Sequence, residues 1–275
     1  DKHHGKLSFS ALSAHSSHAL PEKLDKYETA YDQFIFKDIP GGKNMGTMLH
    51  YLFENIDFTN PDGHQAEVDK LVNRYYPGKK ELLRKRLVEM VDNVLHSHIE
   101  FPDGTSILLK DLDSADKLNE MEFDFNTSDI NLEDLKDFDL GEGIDINCNM
   151  AINTKKGLLT GLIDLFFVHQ GKYYILDWKS NFLGDSLEHY AKDDTMKKAL
   201  NEGNYHLQYL IYSMAVKNYL EARLPGFDYD KDFGGAIYVY LRGARKGKEH
   251  GIFTNKPSLE QVETLERIFM KPVTA

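Results

Sequence analysis

The segment GLLTGLIDLFFVHQGKYYILDWKSN, residues 157–181, restricts the possible folds more than any other part of the chain. Two runs rich in β-branched and aromatic residues flank Gln170 and Gly171, and a two-residue loop that ends in Gly is typical of a β-hairpin. With that loop, residues whose numbers add up to 341 face each other, so Asp164 lies opposite Asp177. The Cβ atoms of such a pair are roughly 5 Å apart. The sequence therefore predicts two carboxylates in register within an otherwise apolar hairpin.

Two carboxylates in this position repel each other unless one takes up a proton or both bind a cation. A divalent cation that prefers oxygen ligands satisfies the arrangement. Lys179 follows Asp177 by two residues, so its side chain points to the same face of the strand. A metal ion held by Asp164 and Asp177 beside Lys179 could polarise a phosphate, lower the pKa of a bound water and hold attacking and leaving oxygens in line. The alternative is a surface hairpin with unpaired acids and a lysine that reaches solvent.

Helical and strand-like patterns occur on both sides of the hairpin. Apolar spacing predicts helices over 46–56, 65–76, 79–98, 185–201 and 204–223, and a last helix that begins at Ser258 with a capping box to Gln261. β-Branched and aromatic runs predict strands over 105–110, 120–125, 144–153 and 234–242. This order predicts an α/β fold with a central mixed sheet flanked by helices. Residues 1–40 are interpreted as an N-terminal arm or linker with little regular pattern, and residues 41–275 as one domain.

The net charge of −11 would by itself disfavour a nucleic-acid ligand. However, residues 111–145 contain 13 acidic residues and two lysines, so the rest of the chain sums to zero. This acidic block is interpreted as a solvated surface insertion, with docking to a basic partner as the alternative. Three basic groups either contact a DNA backbone or face solvent: Lys79, Lys80, Arg84, Lys85 and Arg86; Lys192, Lys197 and Lys198; and Arg242, Arg245, Lys246 and Lys248.

Several classes of protein are disfavoured by what the sequence lacks. No apolar run approaches the ~18 residues of a membrane span, and no secretory signal pattern is visible. Cys148 is the single cysteine, which excludes a disulfide framework and a cysteine-based zinc site. No G-x-x-x-x-G-K-[ST] phosphate loop is present, so the chain carries no ATPase motor of that type. The chain is therefore expected to be cytoplasmic, without membrane association.

The motifs of the hairpin and its surroundings resemble a known family. The pairing of G-x-I-D at 161–164 with I-L-D-W-K-S at 175–180 resembles the core of PD-(D/E)XK nucleases. Three further runs resemble the nuclease domain at the C-terminal end of RecB, the beta chain of exonuclease V: LSFSALS at 7–13, MGTMLHYLFENIDF at 45–58 and HLQYLIYSMAVKNYL at 206–220. The resemblance extends from about residue 7 to residue 253. It implies a restriction-endonuclease-like core for the α/β fold and a RecB-like nuclease domain over residues 41–275.

The resemblance also implies roles for individual residues. Asp164 and Asp177 would bind the metal together with His50, from the G-T-x-x-H motif, and the backbone carbonyl of Trp178. Lys179 would be the catalytic lysine. Four residues would support the site or contact DNA: Gln208 and Tyr212, which match a Q-x-x-x-Y motif, Tyr205 and Glu122. The implied cofactor is Mg²⁺, with Mn²⁺ as a substitute.

Taken without the resemblance, some of these residues have simpler interpretations. His50 could be an ordinary helix histidine paired with Glu54, Gln208 and Tyr212 could be packing residues, and Glu122 could belong to the acidic block.

The main hypothesis is a metal-dependent DNA nuclease of exodeoxyribonuclease V type, which acts in DNA end processing and recombinational repair. The implied partners are DNA, a helicase motor region and other subunits of a helicase–nuclease complex. Two alternatives stay open: a nuclease-like module that binds DNA or a partner without cutting, and a freestanding DNA-processing nuclease of the same fold. Degenerate sites usually lose an aspartate or the lysine, and this chain keeps Asp164, Asp177 and Lys179, which favours an enzyme.

Overall fold

The structure, a computed structural model, describes the backbone of residues 6–8, residues 27–78 and 80–127, the single residues Leu135, Ile144 and Ile146, and residues 157–270. Its strands are β1 (Lys6–Ser8), β2 (Ile99–Glu100), β3 (Ser106–Ile107), β4 (Lys117–Thr127), β5 (Gly157–His169), β6 (Lys172–Lys179), β7 (Phe233–Tyr240) and β8 (Ile252–Asn255). Its α-helices are α1 (Ala30–Gln33), α2 (Lys43–Asn55), α3 (His64–Tyr75), α4 (Glu81–Leu95), α5 (Asp194–Glu202), α6 (Tyr205–Arg223), α7 (Tyr229–Asp232) and α8 (Leu259–Phe269).

Six of the described strands form the central sheet, in the order β1-β5-β6-β7-β8, with β4 also paired to β5. The β4–β5, β5–β6 and β7–β8 pairs are antiparallel, and the β1–β5 and β6–β7 pairs are parallel. Strands β2 and β3 form a separate antiparallel pair. The sheet is therefore mixed, as the sequence predicts, and its parallel β6–β7 step is made possible by the crossover through α5 and α6.

The β5–β6 hairpin has the predicted loop and register. Gln170 and Gly171 both have positive φ, 50° and 76°, as a two-residue turn of the mirror-image type requires. The paired residues run from His169 with Lys172 to Leu165 with Leu176, and every pair adds up to 341. Local turn chemistry thus places Asp164 and Asp177 at corresponding positions on the two strands.

Helices cover both faces of β6, whose side chains alternate between them. Trp178 is buried on one face and stacks against Phe53 of α2, with ring centroids 4.7 Å apart. Asp177 is on the other face and meets Gln208 of α6. Because α6 is buried around nearly its whole circumference, it is the central helix of that layer.

The predicted helices agree well with the structure, and the disagreements are local. The capping box at Ser258 is present, with both hydrogen bonds to Gln261. The helix predicted over 185–201 is shorter: a 3₁₀ turn at Leu187–Tyr190 precedes α5. The strand predicted over 105–110 is reduced to β3, because a 3₁₀ turn follows at Leu109–Asp111. The predicted strand over 144–153 lies outside the described residues, apart from Ile144 and Ile146.

The prediction of little regular structure over residues 1–40 is wrong for the described end of that segment. Helix α1 continues into a π-helical turn at Phe34–Asp38, and Tyr31, Phe34, Ile35 and Phe36 are buried in the core. Residues 6–8 form β1, which pairs with β5. Short elements of this kind have weak periodicity, so their structure depends on the surface against which they pack.

The acidic block contributes a strand to the sheet before it leaves the described part of the chain. Residues 117–127 form β4, in which exposed residues, most of them polar, alternate with partly or fully buried ones. Leu135 is buried. None of the described helices has both the length and the apolar character needed to cross a lipid bilayer.

Candidate active site

Strands β5 and β6 stop pairing at the two aspartates. Leu165 and Leu176 form the last paired residues of the hairpin. One position further, the backbone N–H of Trp178 donates to Oδ2 of Asp164 at 2.8 Å. A carboxylate oxygen therefore takes over from a backbone carbonyl as acceptor, which lets the strands separate without leaving a buried N–H unsatisfied.

Asp177 and Lys179 form a buried pair on the α6 side of β6. Each residue is only 6% exposed, and Nζ of Lys179 lies 2.5 Å from Oδ1 of Asp177. Gln208 completes the group, since its Oε1 accepts from Lys179 at 2.7 Å and its Nε2 approaches Oδ2 of Asp177 at 3.4 Å. The same Nε2 donates to the Tyr212 hydroxyl at 3.0 Å. Gln208 and Tyr212 are thus brought to the site, and Gln208 orients both the acid and the lysine.

Two tyrosine rings surround the Lys179 ammonium. Nζ lies 3.9 Å from the ring centroid of Tyr205 and 4.5 Å from that of Tyr238, both within the range of a cation–π interaction. The Tyr238 hydroxyl is 2.8 Å from the backbone carbonyl of Tyr205 and 3.0 Å from Oε1 of Gln208. The Tyr205 hydroxyl accepts from the Asn181 amide at 3.0 Å. These contacts keep a charged amine at a fixed position in a buried site.

Sequence reasoning identified Tyr205 but missed Tyr238. Tyr238 lies beside Asp177 in the parallel register of β6 and β7. All eight residues of β7 are buried, so the strand has no alternating pattern that would distinguish a site residue from a core residue. The spacing of Tyr238 from the other site residues along the chain also carries no signal, because the pairing of β6 with β7 is a tertiary contact.

Burial raises the pKa of the Asp177 carboxyl from its usual 3.8 to about 6. The Lys179 ammonium opposes this shift, whereas the negative charge of Asp164 reinforces it. The positive charge within the site therefore does not fully compensate two ionised aspartates, and a bound cation would favour their ionised forms.

His50 of α2 reaches the site from the opposite layer. Its Nδ1 lies 3.4 Å from Oδ2 of Asp164, so its ion-pair partner is Asp164 and not Glu54. Burial acts to lower the pKa of His50, but the hydrogen bond and charge of Asp164 outweigh it and raise the pKa. Gly46 permits this approach, since a Cβ at that position would lie 3.0 Å from Oγ of Ser180 at the end of β6.

A cavity of about 630 Å³ opens at this point. Glu122 lies at its edge, exposed on β4 and paired with Leu162 of β5. The lining includes the site residues proposed from the sequence: His50, Glu122, Asp164, Asp177, Trp178, Lys179, Tyr205, Gln208 and Tyr212. Residues from β4, β5, β6, α2 and α6 are therefore brought together around one space.

The donor set of this cavity fits a hard divalent cation, although it does not form a ready-made cage. Carboxylate oxygens and an imidazole nitrogen are suitable ligands for Mg²⁺ or Mn²⁺. Among the described residues, however, no three His, Cys, Asp or Glu side chains converge closely enough to hold a metal. Asp177 is engaged by Lys179, and Asp164 by Trp178 and His50. Metal binding would thus require these side chains to reorient.

The structure corrects the interpretation of the loop after β7 as a basic phosphate-contacting or solvated segment. Arg242 and Arg245 are each 8% exposed. Arg242 donates to the carbonyls of Ile35 and Ser180, and Arg245 binds Asp32 at 2.7 Å. Both arginines therefore attach α1 and its π-helical continuation to the sheet. Sequence reasoning missed this because their partners lie about two hundred residues away.

Five of the other basic residues considered for DNA contacts have acidic neighbours. Arg84 pairs with Asp69, and Arg86 with Glu89. Lys192, Lys198 and Lys246 pair with Glu249, Glu202 and Asp92. Lys79 lies outside the described residues. The predicted basic groups therefore do not form a continuous surface of free positive charge in the described part of the chain.

Comparisons with known proteins agree with this architecture. No family model matches the chain. The chain is 34% identical over 240 residues to the RecB subunit of the RecBCD enzyme from Haemophilus influenzae, which covers 84% of the chain and 19% of the relative. The Escherichia coli RecB subunit is also 34% identical, over 239 residues. The Borreliella burgdorferi RecB subunit is 28% identical over 292 residues, which covers 96% of the chain and 24% of that protein. The chain spans about a fifth of the length of the first two of these relatives.

Proposed function

The chain is homologous to RecB subunits of RecBCD enzymes over most of its length, and on this premise we propose that it is a magnesium-dependent deoxyribonuclease domain of the exodeoxyribonuclease V type. The observation that carries the proposal is the buried group formed by Asp177, Lys179 and Gln208, which faces a cavity shared with Asp164 and His50. A buried charged pair is costly for stability, and perturbed acids in a cleft are typical of functional sites.

Asp164, Asp177 and His50 would hold the metal, with the backbone carbonyl of Trp178 as a further ligand. When bound, Mg²⁺ would supply a Lewis acid that polarises the scissile phosphate and acidifies a water molecule. Mn²⁺ would replace it, because both ions accept oxygen ligands. Glu122, exposed at the cavity edge, would face the incoming strand or complete the outer ligand sphere.

Lys179 is the residue of this chain suited to act directly on the reacting groups. Its ammonium is held by Asp177, Gln208 and the rings of Tyr205 and Tyr238. A fixed positive charge of this kind stabilises the negative charge that develops on a phosphate during hydrolysis, and it orients the attacking water. Gln208 and Tyr238 act as positioning residues, because Gln208 binds Lys179 and Asp177, and Tyr238 binds Gln208 and faces the Lys179 ammonium.

At the level of the whole protein, we propose that the domain acts in DNA end processing and recombinational repair. A helicase motor region and other subunits of a helicase–nuclease complex would deliver DNA to the cavity. This part of the proposal follows from the RecB homology, in which the chain corresponds to only part of a longer subunit. We expect the domain to act in the cytoplasm.

The experiment that tests the proposal is cleavage of linear single-stranded DNA by the purified chain with Mg²⁺, alongside a chelator control and Lys179→Ala. Lys217→Ala is the matched control, because Lys217 is also 6% exposed and ion-paired but binds Glu221 and Glu266. We expect cleavage that requires metal, is lost in Lys179→Ala and persists in Lys217→Ala.

If the folded protein binds divalent metal and does not cut, the domain either depends on its motor or only binds DNA. Equal cleavage by Lys179→Ala and the parent would contradict the proposed catalytic role.

A further inference from the structure

A cluster of aromatic and cationic groups lies on the surface next to the candidate active site. Tyr51 of α2 is 37% exposed, and its ring centroid is 6.4 Å from that of Tyr75 at the end of α3. The guanidinium carbon of Arg74 lies 5.7 Å from the Tyr51 ring centroid and 5.3 Å from the Tyr75 ring centroid. Arg74 is exposed and Tyr75 is half-buried. We call Tyr51, Arg74 and Tyr75 the tyrosine platform.

Tyr51 of the tyrosine platform belongs to the same helix turn as a residue that lines the candidate cavity. Tyr51 directly follows His50, whose imidazole reaches Asp164 at 3.4 Å. Successive side chains of an α-helix are rotated by about 100°, so Tyr51 points away from the metal ligands while its Cα remains about 3.8 Å from that of His50. His50 lines the cavity, and Tyr51 is not among the described residues that do so.

Tyr75 packs against the hydrophobic core, whereas Tyr51 is exposed beside it. Leu52 of α2 and Val68 and Val72 of α3 are buried. The other exposed large hydrophobic residues of the described chain are leucines: Leu82, Leu118, Leu162 and Leu224. Tyr51 is thus the single aromatic residue among the exposed large hydrophobic residues of the described chain, and the Arg74 guanidinium lies over its ring.

We infer that the tyrosine platform binds unpaired bases of a DNA strand that passes through the cavity. This inference rests on the proposed nuclease function and names a substrate contact for it. Aromatic rings and guanidinium groups stack on any base, since every base has a π-face, and such stacking needs no particular sequence. The bases must be unpaired, because stacking inside a duplex would cover their faces.

The negative charge of the cavity explains why a DNA strand would need a contact outside the cavity. Its lining includes four carboxylates, from Glu122, Asp124, Asp164 and Asp177, whereas the Lys179 ammonium is occupied by Asp177 and Gln208. Phosphates are repelled by such a surface until metal ions bind. Base stacking does not depend on the sign of the charge in the cavity, and Arg74 adds a positive charge beside the two rings.

The test is equilibrium binding of a labelled 20-nucleotide oligo-dT, measured by fluorescence anisotropy in chelator so that no cleavage occurs. An abasic strand of the same length serves as a second ligand. We expect the Tyr51→Ala/Tyr75→Ala double variant to bind oligo-dT about 5- to 100-fold more weakly than the parent protein, with no further loss on the abasic strand. The Tyr51→Phe/Tyr75→Phe variant keeps both rings and should retain the parent affinity.

Arg223→Ala is the matched control, because Arg223 also lies over a tyrosine, at 4.0 Å from the Tyr219 ring centroid. Arg223 is fifteen residues from Gln208 on α6, which is about 22 Å along the helix axis. The Arg223→Ala variant should therefore bind oligo-dT with the parent affinity. If the double alanine variant does not fold, Arg74→Ala replaces it and should weaken oligo-dT binding in the same direction. Three outcomes would each overturn the inference. The alanine variants could bind oligo-dT as tightly as the parent protein, they could lose affinity equally for oligo-dT and the abasic strand, or the parent protein could fail to bind oligo-dT.

Hydrolysis of bis(p-nitrophenyl) phosphate with Mg²⁺ separates this inference from the nuclease proposal, because the ester has no nucleobases and is too small to span both sites. If the parent protein hydrolyses the ester and the tyrosine variants still bind oligo-dT normally, the inference about the tyrosine platform is contradicted and the nuclease proposal is supported. If the parent protein cleaves neither the ester nor DNA, while the alanine variant loses oligo-dT binding, the nuclease proposal is contradicted and the tyrosine platform is supported as a DNA-binding site.

Discussion

The backbone N–H of Trp178 donates to the carboxylate of Asp164 at 2.8 Å, across the point where β5 and β6 separate. Asp164 therefore satisfies a backbone N–H of β6 and also lines the candidate metal site. Asp177 and Lys179 are the residues on either side of Trp178, so this hydrogen bond helps to fix the position of both. Structural and catalytic demands on Asp164 can be separated by substitution.

Asp164→Asn and Asp164→Ala should differ in stability but not in activity. Asparagine keeps an oxygen acceptor for Trp178, whereas alanine leaves the backbone N–H without its partner, at a cost of about 1–3 kcal/mol. Both variants lose an ionised metal ligand, so both should lose metal-dependent cleavage. Urea unfolding and DNA cleavage are measured side by side, with exposed Asp230→Asn as control. Equal unfolding free energies for the two variants would show that the hydrogen bond does not stabilise the fold.

Asp177→Ala should abolish cleavage while leaving the fold largely intact, because Asp177 is both a proposed metal ligand and the partner of Lys179. The expected loss is complete within the sensitivity of a gel assay with linear single-stranded DNA, and circular dichroism checks the fold. A variant that cuts at the parent rate would remove Asp177 from the mechanism.

The Asp177 carboxyl should titrate near pH 6 in metal-free protein. Since its pKa in the folded state lies above the usual 3.8, the unfolded chain releases this proton first, and stability falls as pH rises from about 4 to about 6. The contribution is of the order of 1–3 kcal/mol. Asp177→Asn, which has no such proton, should lack this part of the pH dependence.

The measurement is ¹³C NMR of the aspartate carboxyls, combined with unfolding of the parent protein and Asp177→Asn at several pH values. Added Mg²⁺ should move the Asp177 titration to lower pH, because a cation favours the ionised form. A midpoint near 4 without metal would contradict the role of burial.

Gln208→Leu should reduce the rate of cleavage about 10- to 100-fold with little effect on KM, because the proposed role of Gln208 is to hold Lys179 and Asp177 in position through its hydrogen bonds to both. Tyr238→Phe should have a smaller effect in the same direction, since the ring still contacts Lys179 and the variant loses only the hydroxyl contacts with Gln208 and with the backbone carbonyl of Tyr205. Tyr229→Phe removes a comparable buried hydroxyl that bonds to Pro257, and should retain the parent kcat. A change confined to KM would indicate that Gln208 contributes to DNA binding instead.

Arg245→Met should destabilise the protein by about 3–5 kcal/mol, because it leaves Asp32 without the partner that compensates its charge. Arg84→Met removes a more exposed ion pair with Asp69 and should cost less than about 1 kcal/mol. Chemical denaturation measures both values. If Arg245→Met unfolds like the parent protein, the attachment of α1 to the loop after β7 does not contribute to stability.

The features that depend on neighbouring residues were predictable from the sequence. The Gln170-Gly171 turn sets the hairpin register, and with it the positions of Asp164 and Asp177. Apolar spacing located α2, α3, α4 and α6, and the capping box located the start of α8 at Ser258. These signals are local, because turn conformation and helical periodicity are set within a few residues of the chain.

Contacts between residues far apart in the chain became visible in the folded protein and were not predictable from the sequence. Tyr238 contacts Gln208 because β7 pairs in parallel with β6 after a crossover of more than fifty residues, and a buried strand has no periodicity that marks one residue as functional. Arg242 and Arg245 look like a solvated basic loop in the sequence, yet they bind Ile35 and Asp32 from the other end of the chain. The physical reason is that a charged side chain is buried only where a distant partner compensates its charge, and such a partner leaves no mark on the local sequence.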